Sequence, residues 1–265
     1  MSMIRKLLEA DDQAVKALIM QQPAENLFII GDLEAFGYEQ DFQEIWGDFD
    51  HNSQLKAVLL RYEENFIPFS LTKDFNAAGF AEIINHFDGK YILSGLKPLT
   101  AMIAPLLADK RKKPRELYYA KCTTVDQLPT LDLTNVKELQ LADLDKWIQF
   151  INGVPEFSHS TVNRETKQRD MERGVGRSYM IKSDDGMVIS SASTAAENSQ
   201  SAMIVAVATA SAYMGKGLAT QCLSRLIADL HHEGKELCLF YDNPAAGKIY
   251  KKLGFKDIGL WTLYY

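Results

Sequence analysis

Two glycines, Gly215 and Gly217, stand between an apolar run over residues 202–208 and an amphipathic stretch over 218–232. The run reads as a buried strand. The stretch reads as a helix, with Leu223, Leu226, Ile227 and Leu230 recurring at helical spacing. A strand that ends on a glycine turn and restarts as a helix places unpaired N–H groups, and the positive end of the helix dipole, at the strand's end. Glycine there lets an anion such as pyrophosphate reach the main chain without meeting a Cβ. The P-loop spacing to a Lys-Ser or Lys-Thr pair does not occur, and the pattern G-x-G-x-x-G fails at Thr220. A bare Gly-x-Gly before a helix is equally what a tight turn produces, so the residues downstream decide between the two.

Those residues are a strand over 237–241, then Asn243-Pro244 as a helix start with proline at the first helical position. The helix carries Ala245, Ala246, Ile249, Tyr250 and Leu253, ends at Gly254-Phe255, and is followed by a strand-like segment over 258–265. The order and motifs resemble the GNAT superfamily of acyl-CoA-dependent N-acyltransferases. The family's cofactor loop, Arg or Gln, two residues, Gly, one residue, then Gly or Ala, falls on Met214, Gly215, Lys216, Gly217, Leu218 and Ala219. Its second pattern falls on Asn243, Ala246, Tyr250, Gly254 and Phe255. The resemblance is closest over the last quarter of the chain and looser over the rest of the C-terminal half. It implies acetyl-CoA as co-substrate and no metal. The pantetheine arm would lie against the main chain of Val207, Ala208 and Thr209, and the pyrophosphate against Gly215, Lys216, Gly217, Leu218, Ala219 and Thr220, with Asn243 and Ala246 beside it. One position departs: Met214 has no side-chain N–H to offer a phosphate where the family has Arg or Gln.

Acyl transfer to an amine needs a proton donor for the leaving thiolate and a route for the amine's proton. The resemblance makes Tyr250 the general acid, although a tyrosine on an amphipathic helix is also an ordinary core residue. The base is open. Residues 202–209 contain no acid, and the candidates are Glu197, just before that strand, and Glu156 and His159 in the break between two earlier helices. Glu197 as a solvated loop residue, and a water chain in place of any base, are the alternatives.

The expected fold is mixed α/β: a largely antiparallel central sheet flanked by helices, in the GNAT order. In it, residues 1–123 form a degenerate GNAT-like N-terminal half, 124–134 a linker and 135–265 the catalytic domain. The N-terminal half repeats the alternation of strands and helices without a cofactor loop; Gly95, the position considered for one, is followed by Leu96-Lys97-Pro98. The serine- and alanine-rich strand near 187–195 either leaves room for an acceptor or packs closely. With 46% hydrophobic residues and a net charge of -6, the chain has a sizeable core and an acidic balance that argues against nucleic acid as a partner. The basic run 110–115 reads as a solvated loop. Cys122, Cys222 and Cys238 form no ligand cluster, and His231-His232 suits a helix C-terminus rather than a metal. With no apolar run of membrane-spanning length, the expectation is a cytoplasmic protein without a membrane partner, with a homodimer left open. Two functions follow: an N-acetyltransferase acting from acetyl-CoA on a primary amine of a small or amino-acid-like acceptor, or a non-catalytic acyl-CoA-binding or scaffolding protein on the same fold.

Overall fold

The computed structural model describes residues 3–109, 114–157 and 161–265. The first series of elements is β1 (Met3–Lys6), α1 (Asp12–Ile19), α2 (Leu27–Phe36), β2 (Gln43–Phe49), β3 (Leu55–Tyr62), β4 (Asn65–Ser70), α3 (Ala77–Asn85), β5 (Ile92–Leu96), α4 (Lys97–Ile103) and β6 (Arg115–Cys122). The second is β7 (Lys137–Glu138), α5 (Leu144–Asn152), α6 (Arg164–Glu172), β8 (Ser178–Lys182), β9 (Val188–Ala195), β10 (Ser201–Thr209), α7 (Leu218–His232), β11 (Glu236–Tyr241), α8 (Pro244–Lys252) and β12 (Lys256–Tyr264). Short 3-10 turns aside, the second series repeats the first element for element. The chain divides into a unit running to Tyr119 that also takes in Asp257–Tyr265, and a unit of Ala120–Lys256.

In the first unit β1, β2, β3 and β4 pair antiparallel in succession, and β4 pairs parallel with β5 through Asn65↔Ile92 and Phe66↔Leu93. The next strand beside β5 is β12, antiparallel from Trp261↔Leu96 to Tyr264↔Leu93. The sequence reading placed residues 258–265 with the second half; alternation identifies a strand but carries no record of its partner. Trp261 is buried and meets the rings of Phe28 at 5.7 Å and Tyr119 at 5.4 Å, while the Thr262 hydroxyl bonds that of Thr100. Leu59, Phe66, Phe80, Ile84, Leu93 and Ile103 fill the core between sheet and helices.

In the second unit β7, β8, β9 and β10 pair antiparallel, and β10 pairs parallel with β11. The period of two divides β8 between the sheet's faces. Tyr179 and Ile181 join the cluster under α7, built on Leu223, Leu226, Ile227 and Leu230, while Met180 joins Leu144, Trp147 and Ile151 of α5. Gly234, at φ 78, closes α7 with its N–H on the His231 carbonyl at 2.9 Å and that of Lys235 on the Leu230 carbonyl at 3.0 Å. The open question about β9 is settled in favour of packing. Ser190, Ser191 and Ser193 are buried and bond the Ala208 carbonyl, the Tyr179 carbonyl and the Ser178 hydroxyl respectively. Val125, Leu128 and Leu133, within the expected linker, pack against the α7 cluster. Positions 110–113 of the basic run lie outside the described residues.

Candidate active site

The main chain of β10 sets the geometry. Its register with β9 passes from Val205↔Ser193 to Ala208↔Ser191, so that Ala206 and Val207 together oppose Ala192. This is a β-bulge, and Ala206 adopts φ 51, a left-handed value that a non-glycine residue takes only when its surroundings hold it there. Consecutive bulge residues part to opposite faces: Ala206 packs against the α5 cluster and Val207 against the α7 cluster. On the other side, the parallel ladder to β11 runs over Ser201↔Glu236, Ala202↔Leu237 and Met203↔Cys238, while β10 continues to Thr209 and β11 to Tyr241. Where that ladder ends β10 loses its cover, and Val205 is 36% exposed in the middle of a central strand. Thr209 holds its hydroxyl 2.9 Å from that of Ser190, whose Oγ also donates to the Ala208 carbonyl at 2.9 Å.

Beyond β10 the chain passes through a 3-10 turn, Ser211–Tyr213, into the glycine loop. Gly215 and Gly217 have φ 77 and 76, where an L side chain is strained, and a Cβ on either would point into open space. Gly217 is the N-cap of α7, and no side chain caps the helix. The first-turn N–H groups of Leu218, Ala219 and Thr220 therefore face the position where an anion would be stabilised by the dipole. The Lys216 ammonium lies 4.9 Å from the ring centroid of Tyr213, which keeps a positive charge at the loop.

Asn243 caps α8, its Oδ1 accepting from the Ala245 N–H at 2.9 Å, as the helix-start signal in the sequence predicts. Ala246, in the first turn of α8, is half-buried. Gly247 was missed in the sequence, where a mid-helix glycine is the available signal. A Cβ there would stand 2.5 Å from the Tyr241 ring, so only glycine lets that ring lie on the helix. The Tyr250 ring then sits 6.0 Å from both the Tyr241 and Phe255 rings, packed on the cluster that Val207 and Leu218 also join. Burial pushes the Tyr250 phenol above its ordinary pKa, and its hydroxyl makes no hydrogen bond among the described residues. Val207, Leu218 and Tyr250 are thus brought to one cluster.

Comparison with known proteins fits this geometry. The sequence pattern of the GNAT acetyltransferase family matches residues 120–264, more than half of the chain. The chain belongs to the GNAT acetyltransferase family. No curated protein matches it. Among solved structures, a Drosophila protein is similar at a TM-score of 0.67 with 13% identity, over 100% of this chain and 98% of that one. A GCN5-related N-acetyltransferase from Sphaerobacter thermophilus is similar at 0.64 and 13% identity, over 99% and 94%. A tandem GNAT protein from the clavulanic acid biosynthesis pathway is similar at 0.60 and 13% identity, over 100% and 98%. These likenesses support the GNAT fold, tandem forms included.

Acetyl-CoA, the co-substrate that GNAT membership implies, fits the residues present: an uncapped helix start and two glycines open to space. Glu197 does not join this GNAT site. It lies at the Ser201 end of β10, and the extended chain from Ser201 to Val207 spans roughly 20 Å. Its side chain is 1% exposed and takes a bidentate pair from Arg177, at 3.0 and 2.9 Å, and a bond from Lys235 at 3.0 Å, besides one from the Thr194 hydroxyl. Burial opposes its charge, but these partners outweigh that and hold its pKa below the ordinary glutamate value. A carboxylate so engaged is a structural tie and a poor base. Glu156 is exposed on a 3-10 turn, and His159 lies outside the described residues. Among the described residues no three His, Cys, Asp or Glu side chains could hold one metal ion, and no helix is long and apolar enough to cross a membrane.

Proposed function

We propose that this GNAT chain transfers an acetyl group from acetyl-CoA to a primary amine of a small or amino-acid-like acceptor. The observation that carries the reading is the uncapped start of α7, with Gly215 and Gly217 facing open space, at the end of a strand whose ladder to its parallel partner has stopped at Met203. The amine nitrogen attacks the thioester carbonyl, the C–S bond breaks, and Tyr250 gives its phenolic proton to the departing thiolate. A phenol that burial keeps protonated through neutral pH and that has no competing partner suits this role. With Glu197 engaged elsewhere, the ammonium proton leaves to solvent. Three buried free thiols suit the reducing cytoplasm that this reading assumes.

A second reading, a non-catalytic acyl-CoA-binding protein, draws on Met214 and the absence of an acid from β10. Calorimetric titration with acetyl-CoA, with Gly217→Glu as control, followed by an amine screen, separates the possibilities. Binding that the substitution abolishes, with turnover of some amine, supports the enzyme. Binding with no turnover leaves the scaffold, and no binding by the native chain removes both.

A further inference from the structure

Lys167, on α6, is only 8% exposed, and its ammonium makes no hydrogen bond or ion pair among the described residues. It stands 5.0 Å from the ring centroid of Trp147, which is itself buried. The Trp147 Nε1–H donates to the Ser191 hydroxyl at 2.7 Å, and Ser191 faces Ala208 in the β9–β10 register, at the edge of the bulge. Ala206, in the bulge, packs against the cluster that contains Trp147. A buried cation thus lies over an indole whose N–H is held by Ser191, the residue paired with Ala208 beside the bulge of β10.

The acids whose fields reach Lys167 are Asp170 and Glu197. Asp170 is faced by Arg169 at 4.0 Å, and Glu197 is held by Arg177 and Lys235. Neither serves as its counter-ion. The contact with the indole face offsets only part of what it costs to bury an unpaired charge. Desolvation lowers the Lys167 pKa, with Asp170 and Glu197 opposing it, which is the expected response of a cation lacking a partner. A buried cation without a counter-ion is stabilised by any anion that binds beside it. The face decides which ligand. Val207, Leu218 and Tyr250, the elements assigned to acetyl-CoA, join the α7 cluster, whereas Trp147 and Ala206 belong to the α5 cluster on the other face of the sheet.

We infer that Lys167 is the counter-charge for a carboxylate on the acceptor, so that the acceptor is an amino acid or a similarly acidic amine. The inference rests on the acetyltransferase reading above. Its test compares L-amino acids with their carboxamides as acceptors, following thiol release from acetyl-CoA, in the native enzyme, Lys167→Met and Lys167→Arg. The expected result is a kcat/KM at least tenfold higher for the acids in the native enzyme. Lys167→Met erases that preference by raising KM for the acids alone, and Lys167→Arg keeps most of it. Unchanged calorimetric binding of acetyl-CoA to Lys167→Met shows that the variant is folded. Equal use of acids and amides, an equal effect of Lys167→Met on both, or no turnover of any acid overturns the inference while acetyl-CoA binding leaves the donor site standing. Succinyl-CoA binding that weakens in Lys167→Met while acetyl-CoA binding does not would assign the charge to the donor and overturn it as well. Failure of the native chain to bind acetyl-CoA would sink the acetyltransferase reading itself.

Discussion

Helices α3 and α7 occupy the same place in the two repeats: each leaves a strand that pairs in parallel with the strand following the helix. Their first turns differ. In α3 the Asn76 Oδ1 accepts from the Gly79 N–H at 2.9 Å, and the Asn76 N–H donates at 2.8 Å to Asp48, a fully buried carboxylate. The chain itself thus supplies the acceptor and the negative charge that a helix start attracts. In α7 the N-cap is Gly217, no side chain caps it, and the space in front is open. The strands differ in the same sense. β4 keeps an unbroken register with β3 from Tyr62↔Asn65 to Ala57↔Ser70 and is buried to its end, while β10 bulges and loses its burial over Val205, Ala206 and Val207. One repeat closes the helix start with its own residues, and the other leaves it open. The two repeats differ here in a few residues at the strand-to-helix turn, since the elements themselves are the same; the proposed binding of acetyl-CoA rests on those residues.

The repeats also place a charge pair at the open end of the corresponding hairpin, with the signs exchanged. In the first, Glu44 of β2 faces Arg61 of β3, which binds it at 3.0 Å and also donates to the carbonyls of Asp41, Phe42 and Glu63. In the second, Arg177 precedes β8 and Glu197 follows β9. Glu197 is the deeper carboxylate, 1% exposed against 28% for Glu44. Glu197→Ala removes the buried carboxylate and leaves Arg177 and Lys235 to the more exposed Glu233, and should cost about 2–3 kcal/mol in urea unfolding, whereas Glu44→Ala, partly solvated, should cost about 1 kcal/mol or less. Equal losses would remove the distinction. Because the folded pKa of Glu197 is depressed, its contribution is complete above the ordinary glutamate pKa and fades as pH falls through the lowered folded value. The native chain should therefore weaken below about pH 4, and Glu197→Ala should flatten that slope. Turnover per folded molecule should not change, as it would if Glu197 were the base.

The second-largest effect concerns α8, whose counterpart α4, Lys97–Ile103, contains no tyrosine. Tyr250→Phe should lower kcat by about 10²-fold, the lower end of what a positioned acid contributes, with acetyl-CoA affinity unchanged. An unaltered kcat would return Tyr250 to the ordinary aromatic core beside Tyr241 and Phe255.

What could be read from the sequence was what leaves a local trace. The span of α7, Leu218–His232, follows from its apolar period and the glycines on either side, and the β8–β9 hairpin follows from its turn. The GNAT motifs carried the family. Pairing across the chain left no such trace, and so the partner of β12, the strand β5, could not be read from the sequence. The counterpart of the cofactor loop in the first repeat was sought at Gly95, but it is residues 71–76, ahead of α3. A helix start capped by its own asparagine needs no glycine, and so gives no signal of its matching place in the repeat. Glu197 read as a solvated loop residue or a base because Arg177 and Lys235 are far from it in sequence. Lys167 sat in a stretch so charged that nothing marked it as buried.

Asn76 allows a smaller test of the closed helix start. Asn76→Ala leaves the Gly79 N–H without its acceptor and should cost about 1 kcal/mol of stability, with no change in acetyl-CoA binding. A loss of binding would show that the first repeat contributes to the donor site after all, and the contrast between α3 and α7 would need another basis.

The smallest effect is expected at Met214, where the family carries Arg or Gln. Its side chain is 57% exposed at the mouth of the loop, so a replacement meets no steric obstacle. Met214→Arg adds a charge and a fork of donors beside helix N–H groups that are already open. The gain in acetyl-CoA affinity should nevertheless be only about threefold, because an exposed ion pair contributes little and salt screens it. Lys216, held over Tyr213, already supplies one positive charge there. Calorimetry at low and high salt checks both parts: the gain should be largest at low ionic strength and vanish at high. If affinity does not change at either, the main chain of the loop and Lys216 hold the phosphates unaided, and Met214 marks no loss of function. If the gain is tenfold or more and survives salt, the native loop lacks a contact that the open start of α7 cannot replace, and the non-catalytic reading gains weight.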